Sequence, residues 1–401
     1  VIFLNIFVVG AGLGDEAYLT GYAKKIIYNA EIVITTKRIY EKMQHLNSNT
    51  ILKDIPEIVP FILETKHQNI CILASGDIGF YSISNTIKDK LSQFNIEFVS
   101  GISSLQYLTA KLLIPYEDIK TISVHGREKS VIPYVCYNKI VFVLTGGKYR
   151  ACDVINELNS CGLGEAMVTV GESLSDENER IITDKAKNLL HYKFDNLSVM
   201  LIVNEGFINP HTKIYDDEFI RGKSPMTKEA VRTLSISKLE IKPSDIVYDI
   251  GAGTGSVSIE MARCAYEGTV YAIEKEDYAL ELIEQNKAKF GAYNVSVKNA
   301  VAPEGIDNLP APNKVFIGGS SGNLKEIIDK ILNKNKYTKI VVNAITLETL
   351  NEALVCFSNK NLSTDIMCVN ASVSERLGNY NMMKAQNPIY IVSGVCKDEN
   401  S

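Results

Sequence analysis

Short apolar runs, rich in β-branched side chains, alternate with longer stretches in which polar and apolar positions mix. Runs ending at Val9 and spanning residues 32–35, 69–74 and 96–99 read as strands buried on both faces, the pattern of a parallel sheet. Helices are expected between them, through about Tyr28, to about Phe94, and from Ser104 to about Leu113. Beyond Pro115 the texture changes: residues 121–125, 140–144, 166–170 and 198–203 are strand-like and 149–160 helical, which predicts a second lobe of mixed sheet. A polar, turn-rich stretch follows, with Pro210 and the mixed-charge neighbourhood of Asp216-Asp217-Glu218. We therefore expect a domain over 1–207, a linker over 208–218 and a second domain over 219–401. In the second domain the alternation resumes: a helix to about Leu239 with Thr227 as its N-cap, strands at 246–249, 269–273, near Val295, at 314–317 and at 339–343, and helices to about Leu332 and from Leu347. Residues 363–371 and 388–395 read as a closing antiparallel pair. The fold class is α/β in both halves.

The densest chemical signal is Val247-Tyr248-Asp249-Ile250-Gly251-Ala252-Gly253-Thr254-Gly255-Ser256. A buried strand runs into three glycines and then into a helix whose N-terminus turns amide groups toward any ligand held there. A dinucleotide fingerprint would place its third glycine at position 256, which is Ser256. The G-x-G-x-G spacing after Asp249 instead resembles the turn of S-adenosylmethionine-dependent methyltransferases. Glu274, ending the next strand, is placed to hold ribose hydroxyls. Nicotinamide enzymes use a similarly placed acid, so an NAD-dependent oxidoreductase stays open as the alternative at this point, as does a ligand-free structural turn.

Net charge of −5 and the absence of a basic stripe argue against nucleic acid as a partner, and so against a methyltransferase acting on RNA; one acting on protein is a further alternative. No apolar run approaches the ~18 residues of a membrane span. The opening run lacks basic residues ahead of it and leads straight into a glycine loop, so it is read as a first core strand rather than a signal peptide, and a cytoplasmic location is expected. Eight scattered cysteines without a C-x-x-C pair, and five scattered histidines, suggest buried reduced thiols and no metal.

Residues 1 to about 205 resemble the tetrapyrrole (corrin and porphyrin) methylase family. The resemblance lies in Val9-Gly10-Ala11-Gly12-Leu13-Gly14-Asp15, Ala74-Ser75-Gly76-Asp77, Ser103-Ser104, His125-Gly126-Arg127 and Val170-Gly171-Glu172-Ser173-Leu174. Residues from about 219 resemble the decarboxylating precorrin methyltransferases, through Arg221-Gly222-Lys223-Ser224-Pro225-Met226-Thr227-Lys228-Glu229, the glycine turn, Phe316-Ile317-Gly318-Gly319-Ser320, Val341-Val342-Asn343-Ala344-Ile345-Thr346-Leu347-Glu348 and Met382-Met383-Lys384-Ala385-Gln386-Asn387-Pro388. In that order the halves are similar to the fused precorrin methyltransferases of cobalamin biosynthesis. Leu13 stands where many relatives carry proline, Ile78 and Gly79 replace a proline and a bulky residue, and Val301 stands where relatives often show an acid.

The resemblance implies a two-lobed tetrapyrrole-methylase fold followed by a Rossmann-like class I methyltransferase fold, two S-adenosylmethionine sites, a tetrapyrrole substrate and a homo-oligomer. Methylation at ring carbon 5 falls to the first half; methylation at carbon 15 and decarboxylation of the carbon 12 acetate fall to the second. The cofactor residues it implies are Gly10, Gly12, Leu13, Gly14, Asp77, Phe80, Ser103 and Ser104 in the first half. In the second they are Thr227, Asp249, Gly251, Ala252, Gly253, Thr254, Gly255, Glu274, Ala300, Val301 and Ala302. A polyanionic macrocycle needs local cations; Arg127, Lys129, Lys148 and Arg150, then Arg221, Lys228, Arg376 and Lys384, are the candidates. Tyr380, Met382 and Met383 are candidates to cover the flat ring. Glu172 and Glu304 are weak candidates for a general base, each more often a solvated or capping residue.

Overall fold

The structure, a computed structural model, describes residues 4–124 and 130–396. In chain order it begins with β1 (Asn5–Gly10), α1 (Gly21–Asn29), β2 (Ile32–Thr35), α2 (Lys37–Met43), β3 (Thr50–Leu52), α3 (Ile55–Glu64), β4 (Asn69–Ala74), α4 (Ser84–Lys90), β5 (Asn95–Val99) and α5 (Ser104–Leu112). These strands form one parallel sheet in the order β3-β2-β4-β1-β5. Successive side chains of a strand point to opposite faces, and both faces here are apolar. Ile6, Val8, Ile70 and Ile72 join one core with Ile58 and Ile62 of α3 and Ile87 of α4. Val9, Cys71 and Leu73 join the other with Ala23, Ile26 and Ile27 of α1. This double burial explains why the runs lack polar alternation.

Next come β6 (Lys120–Ser123), α6 (Ile132–Tyr137), β7 (Ile140–Leu144), α7 (Ala151–Ser160), β8 (Met167–Glu172), β9 (Arg180–Lys185) and β10 (Ser198–Val203). The five strands form a mixed sheet, β6-β7-β10-β8-β9, antiparallel except for β6 beside β7.

The remainder carries α8 (Glu229–Leu239), β11 (Ile246–Ile250), α9 (Ser256–Cys264), β12 (Thr269–Glu274), α10 (Asp277–Lys289), β13 (Val295–Asn299), β14 (Lys314–Ile317), α11 (Leu324–Lys334), β15 (Lys339–Ala344), α12 (Leu347–Asn359), β16 (Leu362–Val369), β17 (Ser372–Leu377), β18 (Tyr380–Ala385) and β19 (Ile389–Cys396). Seven strands lie in the order β13-β12-β11-β14-β15-β19-β16, parallel except for β19, which runs against both neighbours. Val247, Phe316 and Val341 point to a core with Val257 and Ile283, while Tyr248, Ile250, Ile317 and Val342 point to one with Ile327, Ile331 and Phe357. This is the open doubly-wound sheet that the sequence predicts, with its ligand edge at the strands' carboxyl ends.

The chain gathers into two compact units. The first is built of described residues up to 124 with 140–159 and 165–203; the second takes 130–139, 160–164 and the described residues from 204 onward. The helix α6 thus leaves the half of the sequence that carries it. Tyr137 donates to Asn294 Oδ1 at 2.8 Å, Asn204 Nδ2 donates to the Val135 carbonyl at 2.9 Å, and Ile208 N donates to the Cys136 carbonyl at 2.9 Å. The 208–218 stretch also packs on the second unit, with Ile214 buried and Asp216 ion-paired to Arg232. Cys71, Cys136 and Cys356 are buried, but Cys264 and Cys368 are exposed, so burial does not cover every thiol. Among the described residues no helix is long and apolar enough to cross a membrane.

Candidate functional sites at two strand edges

In the second unit, the turn after β11 needs glycine for two separate reasons. Gly251, Gly253 and Gly255 have φ of 72°, 58° and 77°, the left-handed region that side chains disfavour. A Cβ on Gly251 would also sit 2.7 Å from the Gly319 carbonyl oxygen, so the loops after β11 and β14 touch backbone to backbone. Gly318 N and Gly319 N donate to the Ile250 carbonyl at 3.0 and 3.3 Å, which holds that contact shut.

Glu274 closes the turn from the neighbouring strand. Its Oε2 accepts from Gly253 N at 2.8 Å, and Oε1 accepts from Lys275 N at 2.8 Å and Glu276 N at 3.1 Å. A carboxylate offers about four lone-pair sites, so capacity remains for a ligand hydroxyl. Asp249 is buried beneath the turn. One of its oxygens accepts from the Ser258 hydroxyl and the other, Oδ1, has no partner; Thr254 Oγ1 is buried and unpartnered as well. Burial foremost, with the Glu274 charge, pushes the Asp249 carboxyl up to about 7, against the Ser258 hydrogen bond. These groups line a cleft of about 360 Å³ together with Thr227, Lys228, Gly251, Ala252, Gly253, Ala300, Val301 and Ala302. Gly255 lies behind it, where a Cβ would press on Ile283 at 3.2 Å.

Thr227 reaches this cleft without capping α8, which begins at Glu229. Asp216 supplies the cap from a distance, its Oδ2 accepting from Glu229 N at 3.2 Å. Arg232, 0% exposed, fixes the incoming segment: it donates to Asp216 Oδ1 at 2.8 Å, Glu260 Oε1 at 2.6 Å and the Thr227 carbonyl at 2.9 Å, and its guanidinium lies 4.9 Å from the Phe219 ring centroid. A buried cation with this many partners is tolerated because its donors are used, and losing it would strand two carboxylates. Sequence reading passed over Arg232 because its partners lie 16 and 28 residues away.

In the first unit the same physics recurs at the carboxyl edge of the parallel sheet. A Cβ on Gly10 would lie 2.6 Å from Gly101 N and 2.7 Å from the Gly76 carbonyl oxygen, so the loops after β1, β4 and β5 meet through glycine backbone. Gly12 and Gly76 exchange backbone hydrogen bonds at 3.2 and 2.6 Å. Asp77 accepts from Gly79 N at 2.8 Å and Gly101 N at 3.0 Å, one bond per carboxylate oxygen. Ser103 caps α5 in a capping box with Gln106. The resulting cleft, about 420 Å³, is lined by Leu13, Asp77, Phe80, Ser103 and Ser104. Gly10, Gly12 and Gly14 do not line it; Gly10 and Gly12 let the loops approach, whereas a Cβ on Gly14 would meet the Lys42 side chain of α2 at 2.9 Å. Arg38, absent from the sequence-based candidates, does line it.

Comparison with known proteins finds a family match in each half of the sequence. The family described as tetrapyrrole (corrin/porphyrin) methylases matches residues 5–190, and the precorrin methyltransferase domain matches residues 218–395. Probable cobalt-precorrin-6B C(15)-methyltransferase (decarboxylating) of Methanocaldococcus jannaschii is 39% identical over 184 residues, 45% of this chain and 97% of that protein. The chain belongs to the precorrin methyltransferases. A relative spanning both halves, the precorrin-6Y C(5,15)-methyltransferase [decarboxylating] of Sinorhizobium sp., is 27% identical over 390 residues, 94% of this chain and 92% of that protein. A crystal structure of precorrin-6y C5,15-methyltransferase from Geobacter metallireducens GS-15 aligns with a TM-score of 0.44 at 40% identity, over 46% of this chain and 96% of that one.

Several candidate residues of this precorrin methyltransferase stand elsewhere. Glu172, 1% exposed, pairs with Arg180 directly opposite it on β9 and accepts from Asp195 N, so its oxygens are occupied in the mixed sheet and it does not line the cleft. Glu304 is exposed at the start of a single 3-10 turn and lines neither cleft. Lys148 and Arg150 are exposed in the loop before α7, outside the lining. Arg221 donates to the Asp216 carbonyl, while Lys228 lines the second cleft, joined there by Lys275, which sequence reading missed. Arg376 and Lys384 lie on β17 and β18, an exposed two-stranded ribbon, where Lys384 pairs with Glu375 at 2.9 Å. Tyr380, Met382 and Met383 belong to that ribbon and not to a cleft lining. Arg127 and Lys129, with the His125-Gly126-Arg127 motif, lie outside the described residues.

Proposed function

We propose that this precorrin methyltransferase moves two methyl groups from S-adenosylmethionine onto one precorrin or cobalt-precorrin macrocycle, at carbon 5 in the first unit and carbon 15 in the second. The second unit also releases carbon dioxide from the acetate on carbon 12. The observation that carries this reading is the pair of glycine-walled clefts at the carboxyl edges of two unrelated sheets. Bound S-adenosylmethionine supplies an activated methyl group on a sulfonium. The chain's part is to align and enclose, and positioning of this kind supplies ~7–11 kcal/mol.

The residues present suit that donor. In the second cleft the unpartnered Asp249 Oδ1 and Thr254 Oγ1 match an ammonium and a hydroxyl-bonding neighbour, and Glu274 has lone pairs left for ribose hydroxyls. In the first cleft Gly76, where a Cβ would meet nothing within 4 Å, leaves room for a ligand against backbone. Lys228 and Lys275 at the second cleft answer the carboxylates of the macrocycle. Ser256, where a dinucleotide turn would carry glycine, and membership of this family leave the oxidoreductase alternative without support. Incubation of the chain with donor and macrocycle should give a product heavier by two methyl groups and lighter by one carbon dioxide; no mass change with either metal-free or cobalt macrocycle refutes the assignment.

Donor binding in the second unit should depend on pH through Asp249. A carboxyl raised to about 7 in the folded protein favours the protonated form. Its contribution to stability is therefore full below the unfolded value of about 4 and is lost as pH rises through about 7. A donor ammonium instead requires the carboxylate, so affinity for S-adenosylhomocysteine should rise between roughly pH 6 and 8, with proton release on binding. Calorimetry in two buffers of different ionisation enthalpy reads this. Asp249→Asn should abolish the dependence, and a pH-independent affinity in the parent chain contradicts it.

Self-association is part of the proposal. The β17–β18 register places Val373, Leu377, Tyr380 and Met382 on one face of a ribbon whose residues are all exposed, and a lone two-stranded ribbon is marginal in water. A second copy covering that face makes a homo-oligomer. Light scattering should show the full chain larger than 44.4 kDa and the Leu377→Asp, Tyr380→Asp variant at that mass; identical masses for both refute it.

A further inference from the structure

Arg38 lies in the first turn of α2, just beyond the carboxyl end of β2, and lines the first unit's cleft with Thr36, Ser75 and Ile58. Its guanidinium donates to the Ser75 hydroxyl, a neutral partner. The acidic group whose field reaches it, Asp176, is ion-paired to Lys42, one helical turn further along α2. Among the described residues Arg38 has no carboxylate within ion-pairing distance. A guanidinium carries five N–H donors in a planar fork. A half-buried cation held at a cleft wall with its fork mostly unused is poised for an anion that arrives with the ligand.

The sheet order decides which ligand. The glycine contacts and Ser103 belong to the loops after β4, β1 and β5. Arg38 follows β2, on the far side of β4 and three strand steps from β5, a distance of about 14 Å at the usual strand spacing. A donor seated on the glycine loops leaves this end of the cleft to the acceptor, and the acceptor's periphery is rich in carboxylates.

The geometry points to Arg38 as the anchor for a macrocycle carboxylate in the first unit, a contact that fixes the in-plane rotation of the ring and so selects which ring carbon faces the donor. This rests on the reading of the first unit as the carbon 5 methylase. Arg38 is a substrate-positioning residue, with Lys42 holding Asp176 away from it.

The test uses the full chain with Arg38→Gln and Arg38→Lys. Equilibrium titration with the macrocycle, followed by its visible absorption, should show one of two binding events weakened by about ten- to a hundredfold in Arg38→Gln, as expected for loss of a hydrogen-bonded charge, with partial recovery in Arg38→Lys. Affinity for S-adenosylhomocysteine should not change, and in turnover KM for carbon 5 methylation should rise more than kcat falls. A fully esterified macrocycle should bind the parent and Arg38→Gln equally. Unchanged macrocycle affinity in Arg38→Gln overturns the proposal. So does weakened S-adenosylhomocysteine binding with unchanged macrocycle affinity, which assigns the guanidinium to the donor's own carboxylate. If the parent never methylates carbon 5, the reading of the first unit fails, while the titration still decides whether Arg38 holds a carboxylate.

Discussion

Gly101→Ala should abolish methylation at carbon 5 and leave methylation at carbon 15 and decarboxylation at the parent's rate. The added Cβ would lie 2.5 Å from the Gly76 carbonyl oxygen and 2.6 Å from that of Gly10, both backbone atoms that cannot rotate away. No unusual φ is involved at Gly101, so the whole effect is steric. Overpacking of this kind costs about 1–3 kcal/mol when the surroundings adjust, and here the adjustment must part the loops after β1, β4 and β5. Parting them also pulls Gly101 N from Asp77, the carboxylate that ties two of those loops. The cleft loses its shape while the cores of the sheet, several residues away, stay packed. Mass spectrometry of the product gives the result directly: one methyl group and the loss of carbon dioxide, with the second methyl missing. Full carbon 5 methylation by a folded Gly101→Ala chain would mean that the glycine junction does not form the donor site.

In the second unit the equivalent result is expected from Gly251→Ala and Glu274→Gln. Gly251 combines a φ of 72° with a Cβ position 2.7 Å from the Gly319 carbonyl oxygen, so alanine there meets strain and overlap together. Glu274→Gln keeps the volume but replaces one acceptor oxygen by a donor. The carboxylate now accepts Gly253 N on one oxygen and Lys275 N and Glu276 N on the other, so one of those clamps must fail. Hydrogen bonds to a charged group are worth about 1.5–3 kcal/mol each. Glu274→Gln should therefore weaken S-adenosylhomocysteine binding by about ten- to a hundredfold, and Gly251→Ala by more. Both should stop carbon 15 methylation while carbon 5 methylation on the appropriate macrocycle persists. Unaltered affinity in both variants would remove the G-x-G-x-G turn from the donor site.

The second unit's turn was legible because part of its cause is local: glycines at φ of 72°, 58° and 77°, and an acid ending the next strand, leave a fixed spacing in the sequence. The backbone overlaps that brace the turns, Gly251 against Gly319 and Gly10 against Gly76 and Gly101, are distant contacts that no spacing showed. The parallel strands were legible for a similar reason: two buried faces give uninterrupted apolar runs. Features set by distant partners were not. The 208–218 stretch reads as a polar linker, yet Asp216 meets Arg232 and Ile214 meets the second unit's core. The sequence of α6 carries nothing to say that two of its partners, Ile208 and Asn294, lie beyond residue 207. A fragment cut near residue 207 would therefore lose part of its second unit. No element is predicted between residues 35 and 69, where α3 carries Pro60 in its interior and proline removes a backbone donor. The polar residues of β17 hid the ribbon that carries Arg376 and Lys384 away from the clefts. Arg38 had no spacing signal either; its position after a β-strand was the one clue, shared with many surface arginines.

Two independent donor sites in one chain form the central claim, and titration calorimetry with S-adenosylhomocysteine tests it most directly. The full chain should bind two equivalents, Gly101→Ala one, Gly251→Ala the other one, and the double variant none. A single equivalent in a folded chain that carries out both methylations would contradict the account.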